Sequence, residues 1–172
     1  MTRGQFFWNS VAAGAFLAAP ASKPVLAAEP AKKAEKKLNL SDDELKDIVL
    51  SDLLDRHFLV SGDLTRAVYD ESATFTDEID TYGLEQWMKG TQRLFVAEGS
   101  DFNLVGDVQV DSSRVEFKFD EKLMFRIPFN PVVSLTGKVI LTRDASNGLI
   151  TSYREYWDQD VGAVLRTAKF KI

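Results

Sequence analysis

The spacing of hydrophobic and polar positions changes from a helical period to a strand period near residue 101. Before that point, apolar residues recur every three to four positions in residues 42 to about 59 and in residues 84–97, which predicts two amphipathic helices. A short extended stretch, residues 67–77, lies between them. After that point apolar and polar residues alternate, as they do in residues 115–120, which predicts a series of half-buried strands.

Capping and turn signals mark the ends of these predicted elements. Ser41-Asp42-Asp43-Glu44 is a capping box at the start of the first helix, and Asn147-Gly148 supplies the positive φ that a tight hairpin requires. Helices that precede a run of hairpin-connected strands are typical of the α+β class. We therefore expect an open cone, in which two long N-terminal helices pack on a curved antiparallel sheet of about four to six strands around an apolar pocket.

The N-terminal part of the chain has the composition of a targeting segment followed by a linker. Residues 1–28 contain two bases and no acid, an Ala-rich apolar run, and small residues at Val25 and Ala27. This arrangement is typical of a cleaved signal peptide. It predicts a targeting segment over residues 1–27, a flexible linker over residues 28–40 and a folded domain over residues 41–172.

The composition excludes several classes of site. Cysteine is absent and His57 is the only histidine, which excludes a thiolate nucleophile and a His-rich metal site. The formal net charge of −5 argues against nucleic acid as a partner, because phosphate binding requires a basic face. No P-loop, dinucleotide-binding turn or metal-spaced set of carboxylates is present in the sequence. We expect neither a metal nor a cofactor.

Three local patterns in the folded part carry a resemblance to a known family. They are Thr76-Asp77 with Tyr82-Gly83-Leu84-Glu85-Gln86-Trp87, then Thr136-Gly137-Lys138-Val139-Ile140-Leu141, and finally Gly148-Leu149-Ile150-Thr151-Ser152-Tyr153-Arg154-Glu155-Tyr156-Trp157-Asp158. With the element order, they resemble the nuclear-transport-factor-2-like (SnoaL-like) superfamily, and within it a family of phototroph and plastid domains without an assigned function. The chain departs from the family pattern at Glu78, where relatives carry Pro, and at Tyr153 or Arg154, near the position where relatives often carry His.

The resemblance also implies where a site would lie. Enzymes of this superfamily place an acid or a histidine inside the apolar cone, where burial raises the pKa of a carboxyl group. Asp77 is then the candidate general base, because it follows the first strand, and Tyr153 is its candidate hydrogen-bond partner. The other candidates for the pocket are His57, Tyr82, Trp87, Phe117, Phe125, Glu155 and Trp157.

Each candidate also has a purely structural interpretation. Asp77 is equally suited to cap a helix entry or to lie in a loop, and Tyr153 to pack as an ordinary strand residue. His57 suits a helix end, where it would interact with the last carbonyl groups. The aromatic residues of the apolar strand face are typical of a core.

Two functional hypotheses follow, and the first is favoured on the sequence. It is a noncatalytic binding or accessory module, with a protein partner or an apolar small molecule as its ligand. The segment at the N-terminus resembles those that direct proteins to the thylakoid lumen, so we expect that compartment and an association with a photosynthetic membrane complex; a bacterial periplasm or secretion is the alternative. The second hypothesis is a small isomerase or cyclase that uses Asp77 as general base on an apolar substrate. A homodimeric scaffold is a third interpretation.

Overall fold

A six-stranded mixed sheet forms the centre of the computed structural model, which describes residues 35–170. The strand order is β2-β1-β6-β5-β4-β3. The strands are β1 (Tyr69–Thr76), β2 (Thr81–Gly83), β3 (Asp101–Val110), β4 (Arg114–Met124), β5 (Val132–Arg143) and β6 (Ile150–Trp157). The α+β class is confirmed.

One strand pair corrects the expectation of an entirely antiparallel sheet. Strand β1 runs parallel to β6, with Phe75 opposite Tyr153, whereas every other strand pair is antiparallel. No hairpin connects β1 to β6, so no turn fixes their relative direction. The pairing brings the end of β1, which leads into Asp77, beside Arg154 of β6.

The first predicted helix is interrupted, so the expected long N-terminal helix over residues 42 to 59 is not confirmed. The chain forms α1 (Asp42–Leu54) and a single turn, α2 (Phe58–Ser61), separated at His57, which adopts a left-handed φ of 51°. Three consecutive residues of α2 are buried, namely Phe58, Leu59 and Val60. A continuous helix presents only one side to a core, so burying three consecutive residues requires this change of direction.

The second predicted helix is shorter than expected. Helix α3 (Leu84–Leu94) ends where Phe95 takes an extended conformation and pairs with Phe125. A fourth short helix, α4 (Val161–Arg166), follows β6, and Asp160 caps its start by accepting from the amide of Ala163 at 2.8 Å. None of the helices within residues 35–170 is long and apolar enough to cross a membrane.

The core lies between the inner face of the sheet and the helices. An aromatic cluster occupies its centre, where Phe75 stacks on Trp87 with ring centroids 4.6 Å apart and on Tyr153 with centroids 5.0 Å apart. Phe58 joins this cluster and also contacts Phe117 edge-on. Stacked and edge-to-face rings add to the free energy gained by burying their area. One member of the cluster, Trp87, also lines the cavity of the candidate site.

The chain N-terminal to α1 lies along the domain. The Lys36 ammonium donates to the carbonyl groups of Arg66 and Tyr69 at 3.0 and 2.7 Å and pairs with Glu71 at 2.5 Å. Further along, Arg143 donates to the carbonyl of Leu40 at 2.9 Å. These contacts involve the last residues of the segment expected to be a linker. The predicted targeting segment lies outside the described residues, and the domain boundaries remain a prediction.

Candidate functional site

A largely apolar cavity of about 90 Å³ opens between the sheet and helices α3 and α4. That volume is well above the roughly 10–15 Å³ that a single water requires. Its apolar lining residues are Leu59, Ile79, Tyr82, Trp87, Leu94, Phe95, Leu123, Phe125, Val133, Leu135, Trp157, Val161, Val164 and Leu165, and its polar ones are Asp77, Thr91, Glu121 and Glu155. Three carboxyl groups therefore share one apolar cavity.

Asp77 lies in the turn that follows β1, and that turn fixes one of its oxygens. Its Oδ1 atom accepts from the amides of Ile79 and Asp80 at 2.7 and 2.8 Å. Burial raises the pKa of the Asp77 carboxyl, while these two hydrogen bonds oppose the rise. Arg154 donates to the backbone carbonyl of Asp77 at 2.7 Å and to the carboxylate of Glu78 at 3.1 Å. Arg154 therefore bonds to the backbone of this turn and not to the Asp77 carboxylate.

Glu155 is held by two donors from its own strand. The Tyr153 hydroxyl donates to its Oε2 atom, and the Trp157 indole donates to its Oε1 atom at 2.5 Å. The three residues share a face because side chains two positions apart on a strand point the same way. Burial raises the pKa of Glu155 to about 7, and the charge of Asp77 adds to the rise, while the two hydrogen bonds oppose it.

Glu121 is a cavity acid that the sequence analysis missed. It lies on β4 with only 2% of its surface exposed, and its Oε2 atom has no hydrogen-bond partner among the described residues. Burial raises the pKa of Glu121 well above its usual value, and the charges of Glu155 and Asp120 act in the same direction. The signal was present, since the inward alternation of Val115, Phe117 and Phe119 continues to Glu121.

The structure brings most of the expected site residues to the cavity but not all of them. Those that line it are Asp77, Tyr82, Trp87, Phe125, Glu155 and Trp157. Tyr153 is buried beneath the cavity and donates to Glu155 rather than to Asp77. Phe117 lies in the core. His57 is exposed at the break between α1 and α2, because its left-handed conformation turns the chain there.

The three carboxyl groups of the cavity lie in different environments. Within residues 35–170, no group of three or more His, Asp or Glu side chains is arranged to hold a metal ion. The environments of the three acids differ, so their pKa values differ as well: burial raises the pKa of Glu121 well above its usual value and that of Glu155 to about 7. Titratable groups whose surroundings separate their pKa values are typical of acid–base sites.

Comparisons with known proteins bear on the fold. No family model matches the chain, and no curated protein sequence does. A putative SnoaL-like polyketide cyclase from Jannaschia sp. CCS1 is 16% identical, with 73% of this chain and 92% of that chain covered and a TM-score of 0.55. An NTF2-like protein from Burkholderia thailandensis E264 is 14% identical (70% and 93% covered, TM-score 0.52). SalBIII, an epoxide hydrolase/cyclase-like enzyme of pyran ring formation in salinomycin, is 13% identical (76% and 98% covered, TM-score 0.51).

At these identities the comparisons establish the fold alone, which this chain shares with SnoaL-like and NTF2-like proteins. They correct the main functional interpretation of the sequence. The structures similar to this chain include a putative polyketide cyclase and an epoxide hydrolase/cyclase-like enzyme, which contradicts the expectation of a noncatalytic module. The phototroph relationship, the compartment and the protein partners remain predictions.

Proposed function

We propose that the protein is a small isomerase- or cyclase-type enzyme that uses Asp77 as general base on an apolar substrate. One observation carries the proposal: Asp77, Glu121 and Glu155, from three distant points of the sequence, line a single apolar cavity. Buried carboxyl groups are costly to maintain, and their concentration at a cavity is typical of sites that transfer protons.

Asp77 is better placed than Glu155 to act as the base. The amides of Ile79 and Asp80 both donate to its Oδ1 atom, so the turn that follows β1 orients the carboxylate. In Glu155 both oxygens accept a bond, one from Tyr153 and one from Trp157. A raised pKa brings Asp77 closer to the operating pH, where a general base is most effective.

The chemistry is a proton transfer at a carbon next to a carbonyl group. Asp77 takes the proton from that carbon, and the carbon–hydrogen bonding pair moves into an enolate. Return of the proton to a different carbon gives an isomer. Alternatively, the enolate carbon attacks a second carbonyl of the same molecule, the π electrons of that carbonyl move to its oxygen, and Asp77 returns the proton to this alkoxide, which closes a ring. Neither outcome requires an oxidant, a reductant or a second substrate. The apolar walls exclude water from the reacting atoms.

Deuterium exchange tests this proposal without knowledge of the natural substrate. A panel of cyclic ketones and 1,3-diketones is incubated with the full chain in D₂O, and loss of the α-proton signal is followed by NMR. We expect exchange faster than in buffer for at least one compound. Asp77→Asn should slow that exchange by about 100-fold or more, the range expected for removal of a general base.

Glu78→Gln provides the matched control, because it removes the neighbouring carboxylate, which does not line the cavity. Its exchange rate should stay within about twofold of the wild type, since surface charges act weakly across solvent. A wild-type protein that accelerates no compound in the panel contradicts the proposal. So does an Asp77→Asn variant that retains the wild-type rate.

A further inference from the structure

The charge of the cavity is unbalanced. Three acids line it, and none of the described residues that line it is Lys, Arg or His. Arg154 does not line the cavity: it bonds to the carbonyl of Asp77 and to Glu78, and its guanidinium lies 4.5 Å from the ring centroid of Tyr156. Its charge opposes the rise in the pKa of Asp77 and of Glu155 from outside the cavity, and a neutral ligand adds no positive charge inside it.

Within the described part of the chain, one acid of the cavity, Glu121, lacks a hydrogen-bond donor that a ligand can supply. Its side chain is almost fully buried, it lines the cavity, and its Oε2 atom has no hydrogen-bond partner among the described residues. A buried carboxyl oxygen without a donor raises the free energy of the folded state. A ligand that brings a positive charge or an N–H donor to this oxygen recovers that free energy, whereas a purely apolar ligand does not.

The aromatic walls favour the same kind of ligand. Two indole rings, of Trp87 and Trp157, line the cavity together with Tyr82, Phe95 and Phe125. The face of an aromatic ring carries partial negative charge and attracts ammonium groups, most strongly when the ring is Trp and the site is desolvated. Methyl groups on nitrogen also bury well against these rings. Carboxylates and aromatic faces in one cavity thus match a cation that has an apolar surface.

We propose that this cavity binds a small organic cation, an amine or a quaternary ammonium group on an apolar body, with its charge beside Glu121 and Glu155 and its methyl or methylene groups against Trp87 and Trp157. The inference rests on the proposed function, which identifies this cavity as the active site. It adds the chemical class of the substrate.

The charged and titratable groups around the cavity determine how binding depends on pH. Helices α3 and α4 contribute none of its lining acids or bases. The groups that face it or act on its acids are Asp77, Asp80, Tyr82, Asp120, Glu121, Tyr153, Arg154 and Glu155. A cation favours the ionised form of the carboxyls, so its binding releases protons, and its affinity rises with pH through the range where Glu155 ionises.

Tetramethylammonium and tert-butanol form a suitable probe pair, because both have five heavy atoms around a tetrahedral centre and only the first is charged. Their affinities for the full chain are measured by calorimetry at pH 5 and pH 8, and tetramethylammonium has no proton of its own to lose. We expect the cation to bind about tenfold or more tightly than the alcohol at pH 8. Its affinity should fall by about tenfold at pH 5, while the affinity for the alcohol stays constant.

Glu121→Gln tests the role of the unpartnered carboxyl, and Glu116→Gln is its control on the outward face of the same strand. We expect Glu121→Gln to weaken tetramethylammonium binding by about tenfold at pH 8 and to leave tert-butanol unaffected, whereas Glu116→Gln changes neither. Equal affinity for the two probes overturns the inference. An affinity for the cation that is the same at both pH values, or unchanged in Glu121→Gln, overturns it as well.

These outcomes are separable from those of the exchange assay. A protein that exchanges the α-protons of neutral ketones but shows no preference for tetramethylammonium retains the proposed function and loses this inference. A protein that prefers the cation but exchanges no compound of the panel retains the cation site and loses Asp77 as general base.

Discussion

Two carboxyl groups of this protein, Asp52 in α1 and Glu121 in β4, have the same exposed fraction of 2% but opposite surroundings. Asp52 accepts from the amide of Thr65 at 2.8 Å and from the Thr65 hydroxyl at 2.7 Å, and Arg56 lies 3.6 Å away. Glu121 has an Oε2 atom without a partner among the described residues. Burial raises the pKa of both groups, but hydrogen bonds oppose the rise only for Asp52.

The two acids therefore differ in what they contact: Asp52 bonds to the neighbouring chain, whereas Glu121 lines the cavity. The bonds of Asp52 connect α1 to the chain that leads into β1, so Asp52 stabilises that connection. Glu121 lies at the cavity, and its Oε2 atom has no hydrogen-bond partner among the described residues. Burial alone therefore does not mark an acid as a candidate for chemistry; a place at a cavity is needed as well.

The largest expected effect follows from removing the stabilising acid. Asp52→Ala should lower the free energy of unfolding by about 3 kcal/mol, because the partly buried amide and hydroxyl of Thr65 lose their acceptors. Urea denaturation measures this loss. Asp55→Ala, on the exposed side at the end of the same helix, is the control and should change stability by less than about 0.5 kcal/mol. A loss below about 1 kcal/mol for Asp52→Ala would remove the distinction between the two acids.

The next effect is a pH dependence that originates at the cavity. Glu155 has a folded-state pKa of about 7 against an ordinary value of 4.5, so the folded state binds the proton more tightly than the unfolded chain does. Stability from this group is complete below pH 4.5 and is lost as the pH rises to about 7, with a slope approaching about 1.4 kcal/mol per pH unit.

Urea denaturation of wild type and Glu155→Gln at several pH values isolates that contribution, because the other titrating groups are common to both proteins. The stability of the wild type relative to the variant should fall between pH 4.5 and pH 7 and level off above that range. A difference between the two proteins that does not depend on pH would show that Glu155 titrates normally.

A smaller effect of opposite sign is expected at Glu121. Glu121→Leu should raise the free energy of unfolding by about 1 kcal/mol at pH 7, because an apolar side chain of similar size replaces a buried carboxyl that lacks a partner. The matched control is Glu116→Leu on the outward face of β4, where the ion pair with Lys138 at 3.6 Å contributes less than about 0.5 kcal/mol. Destabilisation by Glu121→Leu would assign this acid a structural role like that of Asp52.

Local signals in the sequence predicted much of the fold. The capping box of Ser41 and Glu44 is present, and Gly148 has the positive φ expected of the hairpin turn. Two features depend on interactions between distant residues and could not be predicted: the left-handed His57, which lets three consecutive residues turn inward, and the parallel pairing of β1 with β6. Helical periodicity averages over a single unusual residue, and no turn links those strands.

The candidate site was likewise predicted only in part from the sequence. Strand alternation placed Glu155 and Trp157 on one face, and both line the cavity. The same alternation predicts an inward Glu121, but hydrophobicity predicts an outward one, because carboxyl groups are rarely buried. The choice of acceptor for Tyr153 was beyond the sequence, because Asp77 and Glu155 both lie close to it and only the packed geometry selects Glu155.

The smallest expected effect concerns an acid whose pKa moves the other way. Arg66 and Lys36 lower the pKa of Glu71 to about 2, so its contribution to stability is complete above pH 4.5 and is lost as the pH falls toward 2. Glu71→Gln should lower the free energy of unfolding by less than about 1 kcal/mol at pH 7, because partly exposed ion pairs are screened by solvent. Urea denaturation at low and at about 1 M salt checks this, since screening should remove most of the loss. A loss that is unchanged by salt and persists at pH 2 would mean that Glu71 acts through its hydrogen bonds rather than its charge, as Asp52 does and Glu121 does not.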